Sequence, residues 1–402
     1  MRSTALVIAL VLLGAPPEPL TADDSARVVA IGDIHGAIEE FKRILTVAGL
    51  ADAKSRWSGG RTTFIQTGDY MDRGAGTRAV LDLLMALEPQ ARKAGGRATS
   101  LLGNHEVMNL IGDTRDATAE IYAAFTDSRS ESRRLAAWEA YTRLGAAKTA
   151  KGETVPAAYQ QTREVWMAAH PQGYVEYREA LGPKGIYGAW LRRKDVATEH
   201  GGSIFMHAGI APDRTPAKID DLNDRVRSEV HRLDQFVQRL VDAKLALPFF
   251  TLQEVLGVAS HEIGAANTLI AAARERGEEL DRSRLNVPLL TDAQEILKID
   301  QWTSIDPGGA LWYRGFSQLP DDPSGGPFAP LLARYGAKRF VTGHTPQSDR
   351  RITVRYGGRI VLIDTGMLSY YRGRASALEI AGDALTAIYD DGRVPLIVET
   401  PR

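Results

Sequence analysis

Short apolar runs recur along the first part of this chain, and each is followed by a polar turn and a helical pattern. Val28–Ile31 and residues 63–67 are β-rich runs of this kind, whereas residues 38–50 and 79–87 carry apolar side chains at helical spacing. Alternation of strand, polar turn and helix is typical of βαβ units, in which ligands bind at the carboxyl ends of the strands. The pattern predicts an α/β region with a binding edge.

Two long stretches in the middle of the chain are predicted to be helical. They cover about residues 116–195 and 215–300, and the second contains an apolar stripe that runs from Ile219 to Leu240. The apolar run Ser203–Met206 predicts a strand between them.

The β pattern returns near residue 339, divided by turn signals such as Gly357-Gly358. We predict strands at residues 339–342, 352–356, 359–364, 376–380, 385–389 and 394–399. The expected fold is α/β (α+β), a two-sheet β-sandwich core flanked by helices, with the two helical insertions forming a cap. We treat residues 23–402 as one catalytic domain.

The first residues are typical of a secretory signal. Arg2 precedes an apolar stretch at residues 5–15, and prolines begin at Pro16. The stretch is shorter than the roughly 18 apolar residues of a membrane-spanning helix. We therefore predict a signal peptide at residues 1–22, a periplasmic or secreted protein and no stable membrane anchor. A buried N-terminal helix or strand is the alternative.

Composition narrows the chemistry. Charged residues make up 25% of the 402, but the formal net charge is only −1, so we expect no nucleic-acid partner. The chain has no cysteine, which excludes disulfides, thiolate metal ligands and a cysteine nucleophile. No feature of the sequence predicts an oligomeric state.

Four polar clusters follow apolar runs and carry the chemistry. They are GDIHG at residues 32–36, GDYMDRG at 68–74, GNHE at 103–106 and GHT at 343–345. Asp, His and Asn beside glycines that allow sharp turns are suited to a hard or borderline metal ion. Singly, such residues also serve as helix caps, Asx-turns and surface histidines.

The ordered set resembles the calcineurin-like metallophosphoesterases, and more closely the phosphoprotein phosphatase branch, whose pattern includes GDxHG, GDxxDRG and GNHE. Further segments resemble the bacterial Shewanella-like phosphatases: MNLIGD at residues 108–113, LWYRG at 311–315, GHTPQ at 343–347 and IDTGM at 363–367. The matching motifs span residues 28 to 372, and the two helical blocks carry none of them.

The resemblance implies two divalent or trivalent metal ions, for which oxygen and nitrogen donors suit Mn, Fe or Zn. Two such ions clamp a phosphate and lower the pKa of a bridging water for in-line attack. The family pattern maps the first ion onto Asp33, His35 and Asp69, and the second onto Asp69, Asn104, His207 and His344.

Two histidines compete for one of these positions, where the family usually has HGG. His200-Gly201-Gly202 fits the letters but follows a charged run, whereas His207 precedes Ala208 and follows an apolar strand. We favour His207, because a metal ligand is best held by a rigid element.

The resemblance also implies the groups that handle the phosphate. Arg73 and Arg314 match phosphate-holding positions, to which Asn104 and His105 contribute. His105 resembles the histidine that protonates the leaving oxygen, and Asp72 the carboxylate that orients it. Alternatively, His105 only stabilises the phosphoryl charge.

Other candidate motifs are weaker. His261-Glu262 begins an HExxH-like string, but Ala265 stands where the second histidine is required. We expect His170 and His231 at the surface, since both lie in the helical blocks.

The predicted activity is metal-dependent hydrolysis of phosphate monoesters, with a phosphorylated protein or peptide (Ser/Thr or Tyr) or a small phosphoester as substrate. A nucleotide, dinucleotide polyphosphate or phosphodiester hydrolase of the same superfamily is the alternative, because related folds carry different activities. A non-catalytic metal-binding module is a rival of another class. Tyr370 and Tyr371 are candidates to line the cleft.

Overall fold

The computed structural model describes residues 27–279 and 282–397. The predicted signal peptide at residues 1–22 lies outside the described residues, as do the last two residues of the strand predicted at 394–399. Within the described ranges, every helix is too short or too polar to cross a membrane.

The strands are short and fall into three groups along the chain: β1–β3, β4 and β5, and β6–β11. In chain order they are β1 (Val28–Ile31), β2 (Thr63–Gln66), β3 (Arg97–Ser100), β4 (Ala197–His200), β5 (Ser203–Met206), β6 (Arg339–Thr342), β7 (Thr353–Arg355), β8 (Ile360–Leu362), β9 (Ser376–Ala381), β10 (Ala384–Tyr389) and β11 (Gly392–Ile397).

The α-helices lie between these strands. In chain order they are α1 (Ile38–Val47), α2 (Thr77–Lys93), α3 (Asn104–Ile111), α4 (Ala119–Ala123), α5 (Ser130–Ala150), α6 (Arg163–Ala169), α7 (Tyr174–Leu181), α8 (Ile186–Leu191), α9 (Ile219–Asp242), α10 (Leu252–Glu275), α11 (Val287–Ile296), α12 (Gly315–Gln318) and α13 (Phe328–Tyr335).

The described strands form two mixed sheets. The first has the order β11-β10-β9-β1-β2-β3, and the second has the order β4-β5-β6-β8-β7. In the first sheet β1, β2 and β3 run parallel, and in the second β5, β6 and β8 run parallel. Each sheet therefore presents the carboxyl ends of three neighbouring strands at one edge.

The two sheets pack face to face, and β1 shows why its sequence is apolar throughout. Val28 and Ala30 join a buried cluster that includes Phe205 and Val341 of the second sheet. The intervening side chains, such as Val29, face the helices and belong to the larger outer cluster. A strand covered on both faces needs apolar residues at every position. The predicted sandwich with flanking helices is confirmed.

The helical blocks pack on the same outer cluster as α1 and α2. The stripe predicted from Ile219 to Leu240 forms the buried face of α9, with Leu222 and Val226 among its buried residues. In the first block, Tyr177 of α7 donates a hydrogen bond to Asn109 of α3. The division of the chain into one domain with two insertions stays a prediction.

One strand was not predicted, and one local expectation was wrong. The charged segment before Gly201 is strand β4, which forms a hairpin with β5 because Gly201 and Gly202 adopt positive φ values of 55° and 69°. His170 is only 2% exposed, not a surface residue, since its ring stacks on Trp166 at a centroid distance of 4.0 Å. His231 is exposed, as predicted.

Candidate functional site

The site lies where the parallel strands of both sheets end. Asp33 follows β1 and Asp69 follows β2, whereas His207 follows β5 and His344 follows β6. Asn104 begins α3, a few residues after β3. The two sheets meet here directly, because the His344 backbone N–H donates to Asp33 Oδ1 at 3.0 Å.

Glycines allow this close approach at two positions. A β-carbon on Gly103 would lie 2.2 Å from Asp69 Oδ1, and one on Gly343 would lie 2.1 Å from Asp33 Oδ1. Both distances are far below a van der Waals contact, so any side chain there would push the carboxylates out of place. The glycines of GNHE and GHT thus have a steric role.

Four electron-pair donors converge beside β5. His207 Nε2 lies 2.9 Å from Asn104 Oδ1, 3.1 Å from His344 Nδ1 and 3.1 Å from Asp69 Oδ2. Two ligands about 2.1 Å from one ion and separated by a right angle lie about 3.0 Å apart. The three distances from His207 Nε2 are therefore compatible with ligands of a single transition-metal ion.

Backbone carbonyls fix which nitrogen of each histidine is free. His207 Nδ1 lies 3.1 Å from the carbonyl oxygen of Thr67, and His344 Nε2 lies 3.1 Å from that of Trp312. A carbonyl accepts a hydrogen bond, so these nitrogens carry protons, and the opposite nitrogens are the ones that can bind a metal ion. Metal-binding histidines usually donate their second N–H in this way.

The first-ion residues are more widely spaced. His35 Nε2 lies 3.7 Å from Asp69 Oδ2 and 4.0 Å from Asp33 Oδ2, and its Nδ1 faces the Met71 carbonyl oxygen at 2.9 Å. Asp69 Oδ2 is shared with the His207 cluster, as a bridging carboxylate requires. Asp69, His35 and His105 form one group that could hold an ion, and Asp69, His207 and His344 form another.

Burial and charge set the protonation of these groups in the protein alone. Burial lowers the pKa of His35 to about 3 and also lowers that of His344, so both rings are neutral and can act as ligands. Burial alone would raise the pKa of Asp69, but His207 and His105 outweigh it and hold the pKa well below its usual value. Asp69 is thus a carboxylate.

His105 pairs with Asp72 rather than pointing both nitrogens at the metal ligands. Its Nδ1 lies 2.9 Å from Asp72 Oδ2, and Asn109 donates to the same oxygen at 2.8 Å. Its Nε2 lies 3.8 Å from Asp69 Oδ2. Burial would lower the pKa of His105, but Asp69 and Asp72 raise it to about 9, which favours a proton donor over a metal ligand.

The two predicted phosphate arginines contact different candidate metal ligands. Arg73 lies 3.2 Å from His35 Nε2 through one guanidinium nitrogen, and the same nitrogen donates to the Tyr371 hydroxyl. Arg314 donates to the His344 carbonyl oxygen at 2.9 Å. Two guanidinium groups that flank one site are suited to bind a phosphate.

The structure places the alternative histidine elsewhere. His200 ends β4 and pairs with Ser203 at the start of β5, whereas His207 follows the end of β5. The length of that strand separates the two side chains. All the residues proposed as metal ligands from the sequence, His207 among them, therefore lie at one edge of the sandwich. His200, the alternative to His207, does not.

Sequence reasoning assigned no role to Glu106 and Asp364. The Glu106 carboxylate accepts backbone N–H groups of Asp69, Tyr70, Met71 and Gly103, at 2.7 to 3.0 Å. It thereby holds the loop that carries the shared carboxylate. The signal was its position three residues after the helix cap, as in a capping box. Asp364 is considered below.

Several site residues adopt left-handed backbone conformations. The φ values are 47° for His35, 55° for Asp69, 66° for both Asp72 and Arg73, and 67° for His344. Such values are uncommon outside glycine and cluster at functional sites, where surrounding contacts maintain them. The backbone geometry therefore marks the same site as the side chains.

The calcineurin-like phosphoesterase family matches residues 26–348 of the chain. The chain therefore belongs to this family, and the predicted fold and class of enzyme, a phosphoric ester hydrolase, are confirmed at that level. The family is metal-dependent, in agreement with the two buried donor groups.

Two relatives are similar to different shares of the chain. Shewanella-like protein phosphatase 2 of Arabidopsis thaliana is 30% identical over 217 residues, 51% of this chain and 52% of that protein. The chain thus spans about half the length of this relative. An uncharacterized protein of Schizosaccharomyces pombe is 28% identical over 368 residues, 90% of this chain and 80% of that protein.

Solved structures show the same fold. A cold-active protein-tyrosine phosphatase of a psychrophilic Shewanella species superimposes with a TM-score of 0.56 at 20% identity. The alignment covers 92% of this chain and 80% of that protein.

Proposed function

We propose that the protein is a phosphomonoesterase that binds two metal ions, and that phosphorylated proteins or peptides are its substrates. The main support is that side-chain atoms of Asn104, Asp69 and His344 all lie close to His207 Nε2. Asp69 also belongs to another group of possible metal ligands. A cation beside His207 Nε2 would satisfy all four of these buried atoms at once, whereas a single proton could not. Mn, Fe and Zn all suit this donor set.

The residues divide the work of phosphate binding. When bound, the ions polarise the phosphoryl group and lower the pKa of the attacking water. Arg73 and Arg314 hold the phosphate oxygens from two sides, which fixes the P–O bond relative to the water. Asn104 and His105 lie at the start of α3 and contribute further polar contacts.

His105 then handles the leaving group. Its Nε2 proton passes to the leaving oxygen as the P–O bond breaks, so that an alcohol or phenol departs instead of an alkoxide. Asp72 accepts from Nδ1, which orients the ring and stabilises its protonated form. A structural metal site has no need of this pair or of the two arginines, and this argues against a non-catalytic module.

The cavity beside Arg73 favours uncharged leaving groups. It has a volume of about 530 Å³, and Asp116 and the 79% exposed Tyr370 lie along it. The Asp116 carboxylate lies 4.0 Å from a nitrogen of Arg73 and 3.8 Å from His105 Nδ1. A polyphosphate leaving group would place negative charge near this carboxylate, whereas a seryl, threonyl or tyrosyl side chain would not. The name of the Arabidopsis thaliana relative, a protein phosphatase, agrees with this preference.

A substrate panel on metal-reconstituted protein tests the proposal. Phosphoserine, phosphothreonine and phosphotyrosine peptides are compared with ATP, a diadenosine polyphosphate and a phosphodiester by phosphate release. We expect the highest kcat/KM with a phosphopeptide and loss of activity with a chelator. A higher kcat/KM for a nucleotide would overturn the substrate class, and no hydrolysis of any phosphate ester would overturn the activity.

One variant examines the charge argument directly. Asp116→Asn should raise the kcat/KM for ATP relative to that for a phosphopeptide, because the repelling carboxylate is removed. Asp127→Asn, which changes an exposed carboxylate paired with Arg133, is the matched control and should leave the ratio unchanged. An unchanged ratio in Asp116→Asn would mean that this carboxylate does not select the substrate.

We also propose that residues 1–22 direct export, so that the mature protein is periplasmic or secreted. The support is the order of positive, apolar and proline-rich segments. Intact mass measurement of protein recovered from the periplasm should show cleavage near Ala15 or Ala22. Recovery of uncleaved protein from the cytoplasm alone would contradict export.

A further inference from the structure

A buried carboxylate without an assigned role lies at the same edge as the metal-ligand candidates. Asp364 follows β8, the third parallel strand of the second sheet, and is 1% exposed. A β-carbon on Gly32 would lie 2.7 Å from the carbonyl oxygen of Ile363, so the end of β1 can approach this segment only with glycine there. The approach brings the Asp364 carboxyl group into contact with that of Asp33.

Only one oxygen of Asp364 is satisfied by the protein. The Gly366 backbone N–H donates to Oδ1 at 2.9 Å. The other oxygen, Oδ2, is buried and has no hydrogen-bond donor among the described residues. Buried polar atoms are nearly always partnered, and an unpartnered carboxylate oxygen is costly. The partner is therefore either a proton held between the carboxyl groups of Asp364 and Asp33 or a group absent from the protein itself.

The surroundings indicate that this partner is a cation. Asp33 and Asp69 are also buried, so three carboxylates lie on this side of the site. The second group differs, because Asn104, His207 and His344 are neutral donors around the shared Asp69. A positive ion beside Asp33 would offset the repulsion between its carboxylate and that of Asp364.

We propose that Asp364 is the third carboxylate of the first metal site, together with Asp33 and Asp69, and that it strengthens binding of that ion selectively. The inference rests on the proposed two-metal site and adds a residue to it. Because Asp364 acts on the ion and not on the substrate, metal affinity is the property that it controls.

The test is metal binding by chelator-treated full-length protein, measured by calorimetric titration with Mn²⁺ and by the metal content retained after gel filtration. Asp364→Asn keeps the side-chain size and the oxygen that accepts from Gly366, but removes the charge. We expect the affinity for one of the two ions to fall about 10–100-fold, with the other unchanged.

Further variants identify which ion is affected. The double variant Asp33→Asn/Asp364→Asn should bind metal little more weakly than Asp33→Asn alone, since both residues act on the first ion. The double variant His207→Gln/Asp364→Asn should instead have a lower affinity for both ions. Asp127→Asn is the matched control, because it removes the charge of an exposed carboxylate that pairs with Arg133 and has no part in the proposed site. It should bind both ions as the unmodified protein does.

Three results would overturn the inference: unchanged affinity for both ions in Asp364→Asn, equal weakening of both ions, or no metal binding by the unmodified protein. Circular dichroism of the metal-free variants separates a lost ligand from a failure to fold. No substrate is present, so a failure of the proposed phosphatase activity would not be confused with a failure of this inference.

Discussion

His105 is surrounded by carboxylates, and these decide which proton it can release. Asp72 holds Nδ1 at 2.9 Å, while Asp69 lies 3.8 Å from Nε2. Cations bound at Asp69 would remove part of its attraction for the imidazolium, but the hydrogen bond to Asp72 would remain. The geometry therefore keeps Nε2 as the nitrogen that faces the substrate.

The first prediction concerns this proton. His105→Asn should lower kcat by roughly 10²–10⁴-fold for an alkyl phosphate, whose leaving group needs a proton. The loss should be much smaller for p-nitrophenyl phosphate, because p-nitrophenolate is a good leaving group. Steady-state rates on both substrates provide the measurement, and His231→Asn, at an exposed position on α9, is the control. Equal losses on the two substrates would leave His105 with charge stabilisation only.

A second residue-scale prediction concerns stability and His170. Its Nδ1 lies 2.8 Å from the carbonyl oxygen of Trp166, while Nε2 is buried without a described partner. Burial lowers its pKa to about 4, whereas the unfolded chain binds a proton at this residue near pH 6.5. Between these values the unfolded state binds more protons, so stability falls as the pH falls, by roughly 3 kcal/mol in all.

His170→Phe should remove this contribution while it keeps an aromatic ring against Trp166. We expect the free energy of unfolding of the variant, measured with urea, to depend less on pH between 4 and 6.5 than that of the unmodified protein. Other titrating groups affect both proteins alike and cancel in the difference. A difference that stays constant across this range would exclude His170 as the source.

The sequence predicted which residues form the site better than it predicted the groups that hold them in place. Asp33, Asp69 and His207 could be found because each follows an apolar strand with glycine nearby. The carbonyls that orient the rings could not, since any residue supplies a carbonyl. Asp364 was also missed, because its motif was visible but its contact with Asp33 depends on two sheets meeting.

Among the helices and strands, a hydrogen-bond chain connects the first helical block to the candidate site. Tyr177 of α7 donates to Asn109 Oδ1, and Asn109 donates to Asp72 Oδ2 at 2.8 Å. Asp72 in turn pairs with His105. Helix α7 therefore helps to fix the orientation of the carboxylate that holds the predicted general acid.

Tyr177→Phe tests this connection. Loss of the hydroxyl leaves a buried Asn109 oxygen without its donor, at a cost of about 1–3 kcal/mol of stability. The same change should lower kcat on an alkyl phosphate, though less than His105→Asn does, because Asp72 keeps its other partners. Denaturation curves and steady-state rates measure the two effects.

Tyr174→Phe is the matched control for that variant. Tyr174 is a buried tyrosine on the same helix, and its hydroxyl donates to the Phe249 carbonyl oxygen at 2.8 Å, away from Asp72. It should lose comparable stability but keep kcat. If both variants lost kcat equally, the effect would come from the packing of α7 and not from the hydrogen-bond chain.

The helices of the insertions were predicted from periodicity, but their contacts were not. The apolar stripe of α9 shows that one face is buried without showing against what. Tyr177 reaches Asn109 across 68 positions of sequence, and nothing local in either segment encodes the pairing. The helices could therefore be predicted from local sequence patterns, but the residues that they contact could not.

At the scale of the whole molecule, the sandwich was predictable because strand position and apolar pattern agree in both halves of the chain. The order of the strands was not. β9 lies antiparallel beside β1, which places the last part of the chain next to the first strand. Strand β4 was missed, since its charged residues lie in an edge strand whose pairing depends on the glycine turn before β5.

Because the site lies between the two sheets, we expect bound metal ions to increase the stability of the whole fold. Asp33 belongs to the first sheet, His344 to the second, and both carry groups proposed to bind ions. Ions that bind only the folded state stabilise it, by about 2.7 kcal/mol per site at a free concentration 100 times the Kd. They would also offset repulsion among the buried carboxylates of Asp33, Asp69 and Asp364.

We therefore expect chelation to lower the Tm of the protein as well as its activity, and Mn²⁺ to restore both. Scanning calorimetry in EDTA and in excess Mn²⁺ at matched ionic strength measures the shift, since screening by added salt would otherwise contribute. His207→Gln is the informative control: with one ligand of the second ion removed, the Mn²⁺-induced rise in Tm should shrink. An unchanged Tm on chelation of the unmodified protein would show that the two sheets are held together without ions. In that case the carboxylates at their shared edge would have to be neutralised by protons, and the Tm would rise on mild acidification instead.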